Sequence, residues 1–424
     1  MKAASARVSG FTLSVLIVAG GAWAQSEPPS VAPIQTGPPP VQYNFAPPGA
    51  RSLGMGASFI GLADDATASE SNPAGLTLLT KPEVSAHLRL SSFDTEVPNT
   101  VSGQGFQTFN DKVGSPSFFS FVYPLKQAAL SVYYQRAADF RSHSFFEGVI
   151  FQPTQGNLAN YDQVQTQFRV ENIGASAAFK VGSKFSIGGS ARMTRVKLDA
   201  LQQTTFPFTD PEQFDGFLFR GYIHPDVSQA KFTWNAGVLL TPVSQISFGA
   251  VYKKGVNFDF TSDFVQDFVF SDGTQEFPEF PRQVTAVPIR IPDVYGAGLA
   301  FRPTERWTIL ADVVEVKYSQ ADPGPNVQNI YQQNGEGGRE ALSDGTEFHV
   351  GTEYTWPAGN DWLMALRAGY FSDPDHDGLA GLNSKQNHFT VGGGVVVKNK
   401  LQVDIAGNFA KNIKEALLSF VVRF

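Results

Sequence analysis

Residues able to do chemistry are present in this chain, but they are spaced in ways that assemble no recognisable catalytic group. Six histidines, His87, His143, His224, His349, His376 and His388, occur with no His-x-x-x-His pair and no flanking Glu of the kind that binds zinc. No Ser/His pairing for acyl transfer can be picked out, so the chain is expected not to be an enzyme. The absence of cysteine removes disulfides, thiolate metal sites and thiol nucleophiles. Gly54-Met55-Gly56 suggests a phosphate loop, but no strand precedes it and the third glycine is misplaced. Asp373, Asp375, Asp377 and Gly378 reproduce the first half of a calcium loop, with carboxylates at alternate positions. The twelfth position is Ser384 and not Glu, so a solvated acidic loop is expected there, with no metal and no cofactor. With 39 acidic against 32 basic residues, the chain has no basic surplus for nucleic acid.

The elements that would position any site follow from composition and period. Charged residues are 17% of the 424 and aromatic residues 13%, against roughly 25% charged in an ordinary soluble domain. Lys2 and Arg7, an apolar core from Phe11 to Gly20 and Ala22-Trp23-Ala24 form a signal peptide cleaved after Ala24. Its apolar core is shorter than the roughly 20 residues that span a bilayer. Removing it leaves 30 basic against 39 acidic residues in the mature chain. Residues 25–48 are a proline-rich extension, and 49–82, rich in small residues, are expected to pack as a compact plug.

From 83 to 424 the pattern is alternation. Val84, Ala86, Leu88 and Leu90 fall on one face, while Ser85, His87, Arg89 and Ser91 fall on the other. The same period gives about fourteen strands, near 83–93, 116–124, 127–137, 164–181, 184–198, 229–241, 244–260, 291–303, 306–319, 344–356, 361–372, 386–398, 400–411 and 415–424. Tight turns at 124–126, 182–183, 242–243, 303–305, 357–360 and 399 alternate with long segments at 94–115, 138–163, 199–228, 261–290, 320–343 and 373–385. Short turns on one rim and long loops on the other describe an all-β transmembrane antiparallel barrel, closed so that no sheet edge is left in hydrocarbon. Arg89, Lys180, Arg192, Lys231, Arg302, Asp312 and Arg367 share the wet parity, which spares them the roughly 2 to 4 kcal/mol that Arg or Lys costs on the lipid face. Arg192, Lys231 and Arg302 are candidates to pair with an anionic head group inside the bore.

Two further features concern the ends and the loops. Leu418, Phe420, Val422 and Phe424 alternate to the last residue, and Phe420 and Phe424 resemble the C-terminal signal read by the machinery that inserts outer-membrane barrels. Phe206, Phe208, Phe214, Phe217 and Phe219, with Phe264, Phe268, Phe270, Phe277 and Phe280, crowd two long loops where polar residues are the norm. That much exposed apolar surface must pack, touch outer-membrane lipid or bind something.

Gly49-Ala50-Arg51-Ser52-Leu53-Gly54-Met55-Gly56, Ala63-Asp64-Asp65-Ala66-Thr67-Ala68, Asn72-Pro73-Ala74-Gly75 and Leu366-Arg367-Ala368-Gly369-Tyr370 resemble the FadL-type outer-membrane transporters of long-chain fatty acids and other hydrophobic compounds. The resemblance implies a monomeric fourteen-stranded barrel with an N-terminal hatch in its lumen. It makes Asn72, Pro73 and Ala74 the hatch motif, the two Phe-rich loops a capture groove, and passive uptake by hatch opening the activity. Family members release substrate sideways through a kinked third strand; the third strand here contains neither Gly nor Pro to announce a kink. A structural or secretion-system partner and a general porin are the alternatives.

Overall fold

The computed structural model describes residues 46–98, 106–152, 156–206, 217–223, 228–264, 266–270, 283–321, 343–374 and 385–424. The expected signal peptide, most of the proline-rich extension, Phe208, Phe214, Phe277, Phe280, His224, His376, Asp375, Asp377, Gly378 and Ser384 lie outside these residues.

Alternating sequence becomes strand almost throughout. The strands are β1 (Glu83–Pro98), β2 (Phe106–Pro124), β3 (Ala128–Gln152), β4 (Gly156–Lys180), β5 (Phe185–Phe206), β6 (Phe217–Ile223), β7 (Ser228–Val243), β8 (Ile246–Lys253) and β9 (Val256–Phe264). They continue as β10 (Gln266–Phe270), β11 (Gln283–Ile291), β12 (Val294–Thr304), β13 (Trp307–Val316), β14 (Gly345–Pro357), β15 (Trp362–Asp373), β16 (Gln386–Val397), β17 (Leu401–Phe409) and β18 (Ile413–Arg423). Sixteen share one sheet; β6 and β10 branch from β5, and pairing of β5 with β7 closes the other fourteen into a ring. The ends of the chain meet there too, β1 running antiparallel to β18 from Glu83↔Arg423 to Phe93↔Ile413.

The two faces of the ring have opposite chemistry. Leu90, Ile173, Phe232, Leu366, Phe389 and Ile405 are each about 60% exposed or more on the outside, a surface only lipid can cover. Tyr123, Trp307, Tyr354 and Trp362, exposed near the short-turn rim, belong to the aromatic belt that favours the boundary between hydrocarbon and water. Ser85, His87, Asn172, Arg192, Asn235, Asp312, Glu353, Arg367 and Asp404 point inward and are buried.

They are buried because the bore is full. Residues 46–82, with α1 (Ala50–Gly54), α2 (Ala68–Ser71) and a 3-10 turn (Pro73–Leu78), pack inside the ring in its half nearer the short turns. Met55, Phe59, Leu62, Ala63, Ala66, Ala68 and Leu76 form a core with the inward residues Val122, Ala129, Ala178, Ala300 and Leu310.

The structure departs from the expected strand map in three places. β1 to β5 run well beyond their expected ends, turning much of the expected loops into projecting hairpins. The expected strand 244–260 is interrupted at Lys254-Gly255, opposite a second break at Pro292-Asp293. Beyond the breaks, among the described residues, β9 and β11 pair only with each other. Their Phe258 and Ile289 join Phe140, Phe168, Val170, Val196 and Leu198 from the inner faces of β3, β4 and β5, so this hairpin caps the bore from the long-loop end. Finally, β2 and β3 pair only from Phe118↔Gln135 to Pro124↔Ala129. Past that level β2 stays with β1 and β3 stays with β4. Ser117 and Ala137, each one residue too many for its ladder, stand where the two strands part. An extra residue bends a strand without needing Gly or Pro, so the wall splits where no kink was legible.

Candidate functional site

The interface between the inner segment and the wall is held by charges that the sequence had only placed on the wet face. Arg51 donates to Asp64 Oδ1 at 2.5 Å and to Glu353 Oε1 at 2.9 Å. Glu353 also accepts from Arg367 Nε at 2.6 Å, and Arg367 Nη1 reaches Asp404 Oδ1 at 2.8 Å. The result is a buried chain of alternating sign that runs from the inner segment through β14 and β15 to β17. Asp312 Oδ2 accepts from the Phe59 and Ile60 amides at 2.6 and 2.9 Å. Glu83 accepts from the Ala66 amide at 2.9 Å and from Arg423 at 2.8 Å. Glu70 pairs with Arg192 and accepts from the Tyr133 hydroxyl at 2.9 Å.

Asn72, fully buried, accepts from the Ala74 amide at 3.3 Å, and its Nδ2 donates to the carbonyls of Ile60 and Val238, both at 3.0 Å. Pro73 begins the 3-10 turn, whose first free amide Asn72 thereby caps. This close approach requires a wall without side chains: a Cβ on Gly237 would lie 2.1 Å from Asn72 Oδ1, and one on Gly249 2.1 Å from the Ile60 carbonyl. Asn72→Ala leaves the buried Ile60 carbonyl without this donor, at about 1–3 kcal/mol for the unsatisfied group. Hydrogen exchange is expected to show lost protection across residues 59–75 while the strand amides stay protected; unchanged exchange would mean that Asn72 does not hold the segment.

The three head-group candidates are not brought together. Arg192 is committed to Glu70; Lys231 donates to the Asn257 carbonyl beneath the capping hairpin at 2.6 Å; Arg302 lies near the short-turn rim, 3.4 Å from Ser247 Oγ. Of the other wet-side charges, Arg89 stands 3.9 Å from Glu415, and Lys180 ends β4, exposed. Of the loop phenylalanines, the backbone register sets Phe206, Phe217 and Phe270 in one row across β5, β6 and β10, with Phe219 opposite Phe268 two residues along, while Phe264 ends β9 opposite Gln283. Phe420 is paired in register with Ala86 and Val403, and the Phe424 amide donates to the Pro82 carbonyl at 3.1 Å.

Two small cavities lie in the bore, one beside the split and one under the cap. The larger, about 60 Å3, is bordered by Ser117 and Arg136 to Phe140 at the split, and across the bore by His349, Phe371, His388 and Glu415. Phe371 stacks between His349 and His388, its centroid 5.2 and 4.1 Å from theirs. No cluster of three or more His, Asp or Glu that could hold a metal occurs among the described residues. The second, about 50 Å3, lies between Glu70, Arg192 and Lys253 and the apolar residues Ala137, Ala138, Val170, Val256 and Ile291. A buried water needs about 10–15 Å3, so each space admits a few waters and neither admits a hydrocarbon chain.

The capping hairpin is pinned at its base by Asp293, which accepts from Gly255 N at 2.7 Å, Tyr252 Oη at 2.9 Å and Lys254 Nζ at 3.0 Å. Burial alone would raise this carboxyl, but the Gly255, Lys254 and Tyr252 donors outweigh it and hold it below the usual carboxylate range. Its contribution is therefore present at neutral pH and is lost as pH falls through that lowered value.

A closed fourteen-stranded barrel, oily outside and filled by its own leading residues, defines an outer-membrane barrel of the occluded kind. Residues 49–417 match the family described as outer membrane protein transport protein (OMPP1/FadL/TodX), and the chain belongs to it. It is 22% identical over 369 residues to a long-chain fatty acid transport protein of Escherichia coli O6:H1, covering 77% of this chain and 79% of that one. In fold it is similar to the Pseudomonas putida toluene transporter TodX, with a TM-score of 0.63 and 15% identity over 90% of this chain and 99% of that one. It is also similar to a Pseudomonas aeruginosa FadL homologue, with a TM-score of 0.60 and 14% identity over 88% and 97% of the two chains.

Glu70, Tyr133, Lys253, Glu353 and Asp404 were not singled out from sequence. Each has the inward parity of its strand or lies in the plug segment, so tracking acidic and phenolic residues on the wet face together with the basic ones finds all but Glu70.

Proposed function

We propose that this chain carries hydrophobic compounds, long-chain fatty acids or other apolar molecules, passively inward across the outer membrane. The observation that carries the reading is the apolar cluster of Phe140, Phe168, Val170, Val196, Leu198, Phe258 and Ile289 at the long-loop end of the bore, next to the split between β2 and β3. A porin has no use for such a stopper. The fatty-acid transport named for the Escherichia coli relative and the toluene transport named for TodX share apolar cargo, which supports the class and leaves the compound open.

An amphiphile leaves water for the Phe-rich sheet of β5, β6 and β10, gaining about 0.8 kcal/mol per buried CH2. It then enters the apolar cluster under the capping hairpin. Displacement of the segment at Asn72-Pro73-Ala74 opens the bore, and the parted edges of β2 and β3 offer an exit into the membrane. Uptake of a labelled fatty acid and of toluene by a deletion strain with and without the gene is the direct test. A secretion-system partner leaves both unchanged, and a porin gives large steady currents in planar bilayers. Phe217→Ser with Phe219→Ser removes two side chains whose burial is each worth roughly 1.5–3 kcal/mol. Binding of a fluorescent fatty acid is expected to weaken by about tenfold or more; full affinity in the folded variant would exclude this sheet as the capture surface.

A further inference from the structure

The outer wall changes chemistry abruptly between two rows of side chains. Phe119, Tyr134, Ile173, Met193 and Phe232 stand side by side in register, one each on β2, β3, β4, β5 and β7, and face lipid. Met193 is the ninth residue of β5, which puts this row at the long-loop end of a crossing of about nine to eleven residues. The next outward row is charged, with Arg136, Glu171 and Arg195 in register. Beyond it come Asp139, Arg169 and Lys197, then Arg141, Gln167 and Asp199. Charges are excluded from the lipid face at mid-membrane, and long loops mark the external side, so this step lies at the level of the outer-leaflet head groups.

Arg136 donates to Asp139 Oδ2 and Glu171 Oε1, both at 3.1 Å, and Arg169 Nε lies 3.6 Å from Asp139. Those two carboxylates are thereby taken. The other three cations, all exposed, meet no carboxylate among the described residues. Arg195 reaches only the Ser228 hydroxyl, at 3.1 Å, and Lys197 has no partner among the described residues. Arg141 and Arg169 converge on the Gln167 carboxamide oxygen, turned toward them, at 3.3 and 3.0 Å. On the same strands, the small side chains of Ala175 and Ala191, paired between Val132 and Trp234, hollow the oily face beneath into a groove of about 580 Å3. An apolar groove that ends under three unmatched cations has the polarity of a phosphorylated lipid standing upright in the leaflet.

We propose that this outer face is a seat for a resident lipid of the outer leaflet, one acyl chain lying in the groove over Ala175 and Ala191 while Arg141, Arg195 and Lys197 hold a phosphate of its head group. Guanidinium forks match phosphate oxygens two at a time, and the charged rows stand where those oxygens are found. The seat rests on the placement of the barrel in the outer membrane and is independent of what passes through the bore. It also crosses the last rungs that join β2 to β3, so the bound lipid braces the wall just below the split.

The test measures, by native mass spectrometry of the purified full chain in an uncharged detergent, binding of diphosphorylated lipid A and of the same lipid with its phosphates removed. The wild type is expected to prefer the phosphorylated form by about tenfold or more, the order expected of charge-assisted hydrogen bonds. The triple variant Arg141→Gln, Arg195→Gln, Lys197→Gln should bind both forms alike. These side chains are exposed, so their loss does not threaten folding, and heat-modifiable gel mobility verifies the barrel. A control with the same loss of charge at the short-turn rim, Lys126→Gln, Lys184→Gln, Lys400→Gln, should keep the preference. Ala175→Trp fills the groove and should weaken both forms several-fold. Inorganic phosphate at equal concentration should not displace the lipid. Equal binding of the two forms by the wild type, a preference that survives the triple variant, or one lost equally in the control overturns the head-group contact. Unchanged binding by Ala175→Trp overturns the acyl seat, and displacement by inorganic phosphate reduces the site to one for simple anions. Each of these leaves the transport reading standing.

Discussion

Uptake should stop when the inner segment is tied to the wall by a disulfide between positions 69 and 131, and should resume on reduction. Ser69 of α2 and Ser131 of β3 are buried with their hydroxyl oxygens 2.7 Å apart, a separation from which two sulfurs reach their bonding distance of about 2.05 Å with little movement. The native chain has no cysteine, so Ser69→Cys with Ser131→Cys forms a single defined link. The control joins two wall strands: Ser85 and Ser120 are also 2.7 Å apart, on β1 and β2, and their linkage leaves the inner segment free. The oxidised 69–131 double variant should carry cargo no faster than cells lacking the protein, whereas the control should match the wild type. Unimpaired transport by that oxidised variant would mean that cargo passes without moving this part of the segment.

Arg367→Met should be the most damaging single substitution in the bore. The guanidinium is 3% exposed and joins Glu353 to Asp404, themselves 7% and 1% exposed. Without it Glu353 keeps Arg51 and, among the described residues, Asp404 keeps only the Gln402 amide, at 2.7 Å. Breaking a buried ion pair from one side costs about 3–5 kcal/mol, because the remaining charge has neither water nor partner. Urea unfolding in detergent micelles should show a correspondingly lower midpoint. Adding Asp404→Asn should recover part of the loss by neutralising the stranded carboxylate; a midpoint that does not respond to Arg367→Met would refute the description of this chain as an electrostatic tie.

The ring was legible because a wall with lipid on one side and polar packing on the other imposes a period of two on every strand that crosses. Ile173 to Val181 and Phe232 to Leu240 keep that period without a break, and the alternating turns fixed the order of pairing. The projecting ends of β3 and β4 were not legible: outside the membrane neither face is forced to be oily, so residues 138–163 carry no alternation to read. The split at Ser117 and Ala137 was hidden for a different reason. A bulge is a mismatch in count between two neighbouring strands, and no residue type in either strand alone announces it. The same holds for Glu70 and Lys253, far apart in the chain, whose significance comes from sharing a cavity.

The interruption at Lys254-Gly255 also shortens one flank of the ring. β8 has eight residues, whereas β3 and β4 have 25 each. A tilted strand needs about nine to eleven residues to cross a bilayer, so the lipid collar beside β8 must thin to meet the protein. Acyl chains packed against β8 are accordingly compressed in a way that those along its 16-residue neighbour β7 are not.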